Sequence, residues 1–178
     1  MNWTKAAKIL APVLIVLAVA SIWWLKNSQD GSNGTGGSGV ETGNPDFALH
    51  VTEKINLDRL KSYGIPIVVD FGADSCIPCK EMAPILRDIN EELRGKAIVK
   101  FVDVWKYPGL VDGYPMSVIP TQLFIDSSGK PYVPRDPNIL DLQMYSTEGM
   151  GKPVFTVHEG GLTKGQILSI LKEMGMEQ

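Results

Sequence analysis

Two cysteines, Cys76 and Cys79, stand three positions apart around Ile77-Pro78, and the 178-residue chain has no others. Cysteines that close cannot staple a fold, so they serve either reactivity or metal binding. Their setting favours reactivity. A continuous apolar run, IPIVVDF at 65–71, reads as a buried central strand just before them. Residues 78–94 carry Met82, Ile85, Leu86, Ile89 and Leu93 at helical spacing, with Gly95 as a stop. The first cysteine therefore opens a helix, where unpaired N–H groups and the positive end of the dipole favour thiolate over thiol. The thiolate is the attacking species in disulfide exchange. The second cysteine, one turn later, can reach back to it, and Pro78 is tolerated in a first helical turn. The expectation is an exposed nucleophile at Cys76 and a shielded resolving thiol at Cys79. The alternative is a metal. Zinc wants four ligands, and only His50 and His158 are on offer, at no recognised spacing. Copper(I) is content with two thiolates and a third ligand such as His158, which leaves an extracytoplasmic copper-binding metallochaperone as the second reading.

The elements that must position this pair alternate between strand and helix. Residues 47–51 read as a short first strand and 52–63 as a helix ended by Gly64. The strand at 65–71 and the helix at 78–94 follow. Residues 97–105 form another buried strand, and 121–125 a strand that runs into the turn Asp126-Ser127-Ser128-Gly129. Residues 154–157 form a final strand. Thr163 and Gln166 make a capping box before a last helix with Ile167, Leu168, Ile170 and Leu171 inward and Gly175 after it. This is an α/β pattern with a mixed sheet. Asp70 lies inside the central strand among apolar neighbours. Buried carboxylates are rare, so it serves either as half of a structural pair with Lys100 or as a proton carrier. Trp105 and Tyr107 read as core or lid residues.

Residues 9–25 are an uncharged run, preceded by Lys5 and Lys8 and followed by Lys26. At ~1.5 Å per residue they cover about 26 Å, near the short end of a bilayer span. Trp23 and Trp24 sit where an aromatic belt meets the headgroups, and the lysines favour an inside N-terminus. Residues 1–26 are therefore expected to be an N-terminal transmembrane anchor, or else a signal sequence cleaved after Ala18-Val19-Ala20. Residues 27–45 are Gly-, Ser- and Asn-rich and form a flexible linker. Residues 46–178 would be the folded domain, placed on the extracytoplasmic side of the cell membrane. The net charge of −3 gives no footprint for nucleic acid.

The segment VVDFGADSCIPCKEMAPIL at 68–86 resembles the active-site segment of the thioredoxin family, including Asp70 six residues before the first cysteine, Lys80 and Pro84. Val118-Ile119-Pro120-Thr121 resembles that family's cis-proline motif, and GGLTKGQI at 160–167 its last turn and helix start. The resemblance covers about 47–174 and implies a thioredoxin fold, a central mixed sheet flanked by helices, here with the transmembrane helix added in front. It implies a thiol–disulfide oxidoreductase whose only redox group is the Cys76–Cys79 disulfide, with no other cofactor and no metal. Asp70 would lie behind Cys79 and move its proton, with Lys100 as the lysine that partners the aspartate. Pro120 would be cis and bring the Ile119 backbone beside Cys76 to pair with an extended substrate; Ser75 and Gly160 would complete the substrate surface. Implied partners are protein disulfide or dithiol substrates and a membrane thiol-electron transporter. The direction expected is reductive, as in cytochrome c maturation. Two departures matter: Ser75 and Gly72 stand where the family usually carries aromatic residues, which should open the site. An insertion of about 131–153 enlarges the turn after Ile125, before the last strand, and is expected to form a small helix or an added strand, or to dock a partner.

Overall fold

Six consecutive residues, Ile67–Gly72 (β1), are all buried, as a run apolar on both faces requires of a central strand. In the computed structural model, which describes residues 43–137, 140–146 and 153–177, β1 pairs parallel with Ile98–Asp103 (β2). On its other side it pairs antiparallel with Thr121–Ile125 (β3). Two further strands, Leu142–Ser146 (β4) and Pro153–Glu159 (β5), complete a mixed sheet in the order β2-β1-β3-β5-β4. The described residues belong to a compact unit spanning Thr42–Gln178. The expected anchor and nearly all of the linker lie outside the described residues; among those described, no helix is long and apolar enough to cross a membrane.

Side chains alternate across the sheet, so each strand feeds two cores. On one face Val68, Val99 and Phe124 pack with Met82, Leu86 and Ile89 of the long helix Ile77–Glu92 and with Ile167 and Leu171 of the last helix Lys164–Glu173. On the other, Ile67, Val69, Phe71, Val102, Leu123 and Val157 pack with Leu60 of the short helix Leu57–Lys61. In chain order these helices are α1 (Leu57–Lys61), α2 (Ile77–Glu92) and α3 (Lys164–Glu173). The capping box that opens α3 forms as expected: Thr163 Oγ1 accepts from Gln166 N, and Gln166 Oε1 accepts from Thr163 N. A cap of this type contributes about 1 kcal/mol.

Three expectations are corrected. Residues 47–51 are not a strand. Asn44 caps a 3-10 turn at Pro45–Phe47, and only Leu49 and Val51 reach the edge of β2, where they bond Phe101. The first helix starts at Leu57 rather than 52, because the Asn56 side chain accepts from Arg59 N and so ends the preceding extended stretch. The insertion is not in the turn. Pro131 bridges Ile125, and Tyr132 N donates to Phe124 O, as in an ordinary hairpin. The next position of β3, Leu123, is paired with Val157. One strand thus begins at 131–132 and resumes in register at 157, and the excursion is 133–156. Of the forms foreseen for it, the added strand is the one found: β4 pairs antiparallel with β5 along the sheet edge.

Candidate active site

Cys76 is the N-cap of α2, with extended backbone (φ −78°, ψ 127°), and its Sγ accepts a hydrogen bond from Cys79 N at 3.3 Å. That is the local signature of sulfur held at a helix N-terminus, the site at which negative charge is stabilised. Cys76 and Cys79 are joined in a disulfide, their Cα atoms 5.2 Å apart. Cys76 is 8% exposed and Cys79 3%, so Cys76 is the more accessible of the two residues. It is nonetheless buried rather than exposed as expected, because Ala73 and Ile119 pack over the pair.

The Ile119–Pro120 peptide is cis. Thr121 Oγ1 donates to Val118 O at 2.7 Å, closing the loop ahead of β3. Gly160 N donates to Pro120 O at 2.8 Å from a backbone at φ 112°, a conformation that favours glycine. The structure therefore brings Ile119 onto the cysteine pair and locks Gly160 to Pro120. Ser75 is exposed beside Cys76.

Asp70 is fully buried, and its Oδ1 accepts from Gln122 Nε2 at 2.8 Å. Burial pushes its pKa up to about 7, against which the Gln122 hydrogen bond pulls down. Lys100 is not its partner. The β1–β2 register sets Lys100 opposite Val69 and sets Phe101 opposite Asp70, which sends the lysine to the other face of the sheet. There its Nζ donates to Pro45 O at 3.0 Å and Ala48 O at 2.7 Å, and burial lowers its pKa to about 8, with Asp46 opposing.

The thioredoxin family model matches residues 48–137. The chain belongs to the thioredoxin family. Among its relatives are chloroplastic thioredoxin Y2 of Arabidopsis thaliana, 39% identical over 36% of this chain and 38% of that protein, and a thioredoxin of Rickettsia felis, 34% identical over 42% of this chain and 71% of that one. The chain thus spans under two-fifths of the length of the plant relative. A solved structure, a mutant thioredoxin from Halobacterium salinarum, covers 78% of this chain and 98% of its own, with TM-score 0.51 and 20% identity, which speaks to the fold.

Set against the thioredoxin pattern, the site has a different rear wall. A Cβ on Gly72 would meet the Phe101 ring at 2.9 Å, and Asp70 Oδ2 and the Cys79 Cβ each at 3.3 Å. Phe101 thus takes the space beside Gly72, and Asp70 and Cys79 close in on the same point above that glycine. The expected opening is therefore smaller at the back than at the front. What remains behind Cys79 is a cavity of about 90 Å³ lined by His50, Ala73, Asp74 and Phe101 among others. At the front, Ile77 (74% exposed), Trp105 (61%) and Val118 (50%) stand in solvent. Trp105, expected in the core or a lid, lines an open groove with Val111, Met116, Val118 and Ile119.

Two working residues escaped the sequence reading. Gln122 follows Thr121 in an apolar strand, and the one available signal was a polar residue in a run with no solvent face. Asp103 ends β2. Its Oδ1 accepts from Trp105 N and Lys106 N, and its Oδ2 from Asp74 N at 3.1 Å, tying the loop before Cys76 to the Trp105 turn. Partial burial works against its charge, but these backbone donors hold its carboxyl below the usual range. As for the copper alternative, His158 Nδ1 lies 3.1 Å from Asp141 O, and among the described residues no three His, Cys, Asp or Glu side chains converge on a metal position.

Proposed function

We propose that this chain is a thiol–disulfide oxidoreductase acting on protein substrates outside the cytoplasm, held there by residues 1–26 and working as a reductant. The observation that carries this is Cys76 at the N-cap of α2, disulfide-bonded to Cys79 and packed against Ile119. In the reduced form the Cys76 thiolate attacks a substrate disulfide, forms a mixed disulfide and releases one substrate thiolate. Cys79 then loses its proton, attacks Cys76 Sγ and expels the second substrate thiolate, leaving the Cys76–Cys79 disulfide. An extended substrate segment would lie along the Ile119 backbone, with an apolar side chain toward Trp105 and Val118. The uncharged run at 9–25 and its flanking lysines support the tether. A domain so placed needs a membrane thiol-electron transporter to reduce it again, and cytochrome c apoprotein disulfides are a substrate of the right kind.

The test is reduction of insulin disulfides by the purified full chain. We expect turnover that Cys76→Ser abolishes. Absence of exchange, together with binding of one Cu(I) through both thiols, would favour the metallochaperone instead. The direction is read from the potential of the pair: a value of about −270 mV marks a reductant, one of about −120 mV an oxidant.

A further inference from the structure

Asp70 and Gln122 are both wholly buried, and they touch through one hydrogen bond, Gln122 Nε2 to Asp70 Oδ1. Each keeps one buried oxygen with no partner: Oδ2 on Asp70 and Oε1 on Gln122. An orphaned buried polar atom is ordinarily destabilising, so two on one pair call for a reason. A proton supplies it. A carboxylic acid facing a primary amide can form two bonds, N–H to one carboxyl oxygen and O–H to the amide oxygen. The two atoms left unpartnered here are the two that the second bond would join. Asp70 Oδ2 is also the oxygen on the cysteine side, since it and the Cys79 Cβ each lie 3.3 Å from the one point that a Cβ on Gly72 would occupy. The disulfide state of this structure is the state that follows resolution, when the Cys79 proton has departed.

We propose that Gln122 is a positioning residue for the exchange reaction: its amide holds Asp70 by Oδ1, presents Oδ2 to Cys79, and accepts the proton-bearing oxygen once Asp70 has taken the Cys79 proton. This deepens the exchange reading of the site and rests on it. During resolution the Cys79 S–H proton passes to Asp70 Oδ2, the sulfur electron pair forms the bond to Cys76 Sγ, and the substrate thiolate leaves with the electrons of the broken mixed disulfide. Asp70 O–H then donates to Gln122 Oε1 and returns its proton when the pair is next reduced. The groups around Asp70 are uncharged: Phe101 from β2, Gln122 from β3, and Cys79 from α2, with Met82 Sδ on the far side of the Gln122 amide. Among the described residues no charged side chain acts on the carboxyl. The amide therefore holds the position that a lysine would otherwise support.

The experiment is stopped-flow reaction of the reduced full chain with a chromogenic nitrobenzoate disulfide. It releases dye once when Cys76 attacks and again when Cys79 resolves. Gln122→Leu should slow the second phase at pH 7 by about tenfold and move its pH midpoint upward, because the one donor to the carboxylate is gone while burial remains. The first phase should stay within about twofold. In an Asp70→Asn background Gln122→Leu should change neither phase further, since Gln122 acts through Asp70. Gln122→Met, equally without an amide but closer in shape, repeats the measurement should the leucine variant fail to fold. An unchanged second phase and midpoint in a folded variant, or an equal slowing in the Asp70→Asn background, would overturn the proposal and leave the exchange reading intact. Loss of the second phase in the wild-type chain would overturn both.

Discussion

Asp70 carries the plainest linkage between stability and pH. Its pKa is raised by burial from 3.8 to about 7. The folded state therefore holds a proton that the unfolded state has already released between these values. The sign follows: the contribution is fully present below about pH 4, is lost as pH rises toward 7, and stays lost above it. Integrated over that interval the loss is about 4 kcal/mol at most. Asp70→Asn, which never ionises, should flatten the profile. Urea unfolding at pH 8 should find the variant more stable than wild type, with the gap closing toward pH 4; an equal gap at both pH values would show that Asp70 is not titrating in the fold. Gly72 makes a second case at this scale, and here the reason is space, not backbone conformation. A methyl group there would press on the Phe101 ring and crowd Asp70 Oδ2 and the Cys79 Cβ. Gly72→Ala should cost about 1–3 kcal/mol by overpacking. It should also slow resolution more than attack, read from the two dye-release phases described above. An effect on attack alone would place this contact outside the proton route.

At the scale of elements, what was legible is what periodicity and capping chemistry dictate. β1, α2 and α3 fall within a residue or two of where the apolar runs, Cys76-Ile77-Pro78 and the Thr163/Gln166 box put them. The placement of Cys76 at a helix start was legible for the same reason, since a helix start can be read from its cap. Lys100 was not. Its neighbour Phe101 is the residue that faces Asp70, and a shift of one position in the pairing of two buried strands sends a side chain to the opposite face. Nothing in AIVKFVDV marks which of two adjacent residues looks toward β1's aspartate. The burial of Cys76 escaped for a related reason, because its cover comes from Ile119, more than forty positions away, and from a loop whose approach only the tertiary structure sets. Of the two places expected for Trp105, the core is excluded, although an aromatic after a buried strand ordinarily continues the core. Here Asp103 ends β2 by taking the Trp105 and Lys106 amides, which turns the indole outward.

For the molecule as a whole, the register across β3 makes the excursion at 133–156 separable from the site. Tyr132 bonds Phe124 and Val157 pairs with Leu123, which are successive positions on one partner strand. Joining 132 directly to 157 would therefore leave a continuous strand without a change of face. The contacts that shape the active end lie outside the excised stretch: Gly160 N to Pro120 O, Ile119 on the cysteine pair, and Gln122 on Asp70. The excursion does contribute stability. Leu140 and Leu142 pack against the α2–α3 core, Tyr145 and Phe155 against the other face, and the Phe155 ring lies 5.7 Å from Tyr114. Burying apolar side chains of this size contributes roughly 1.5–3 kcal/mol each when complete, and less here because they are half-buried. A chain with 133–156 removed should thus fold and retain both phases of dye release within about twofold, with a melting temperature lower by about 10–25 °C. Stopped-flow dye release and circular-dichroism melting check the two halves of that expectation. Lost exchange in a folded deletion chain would mean that the excursion takes part in the site and is not merely packed beside it.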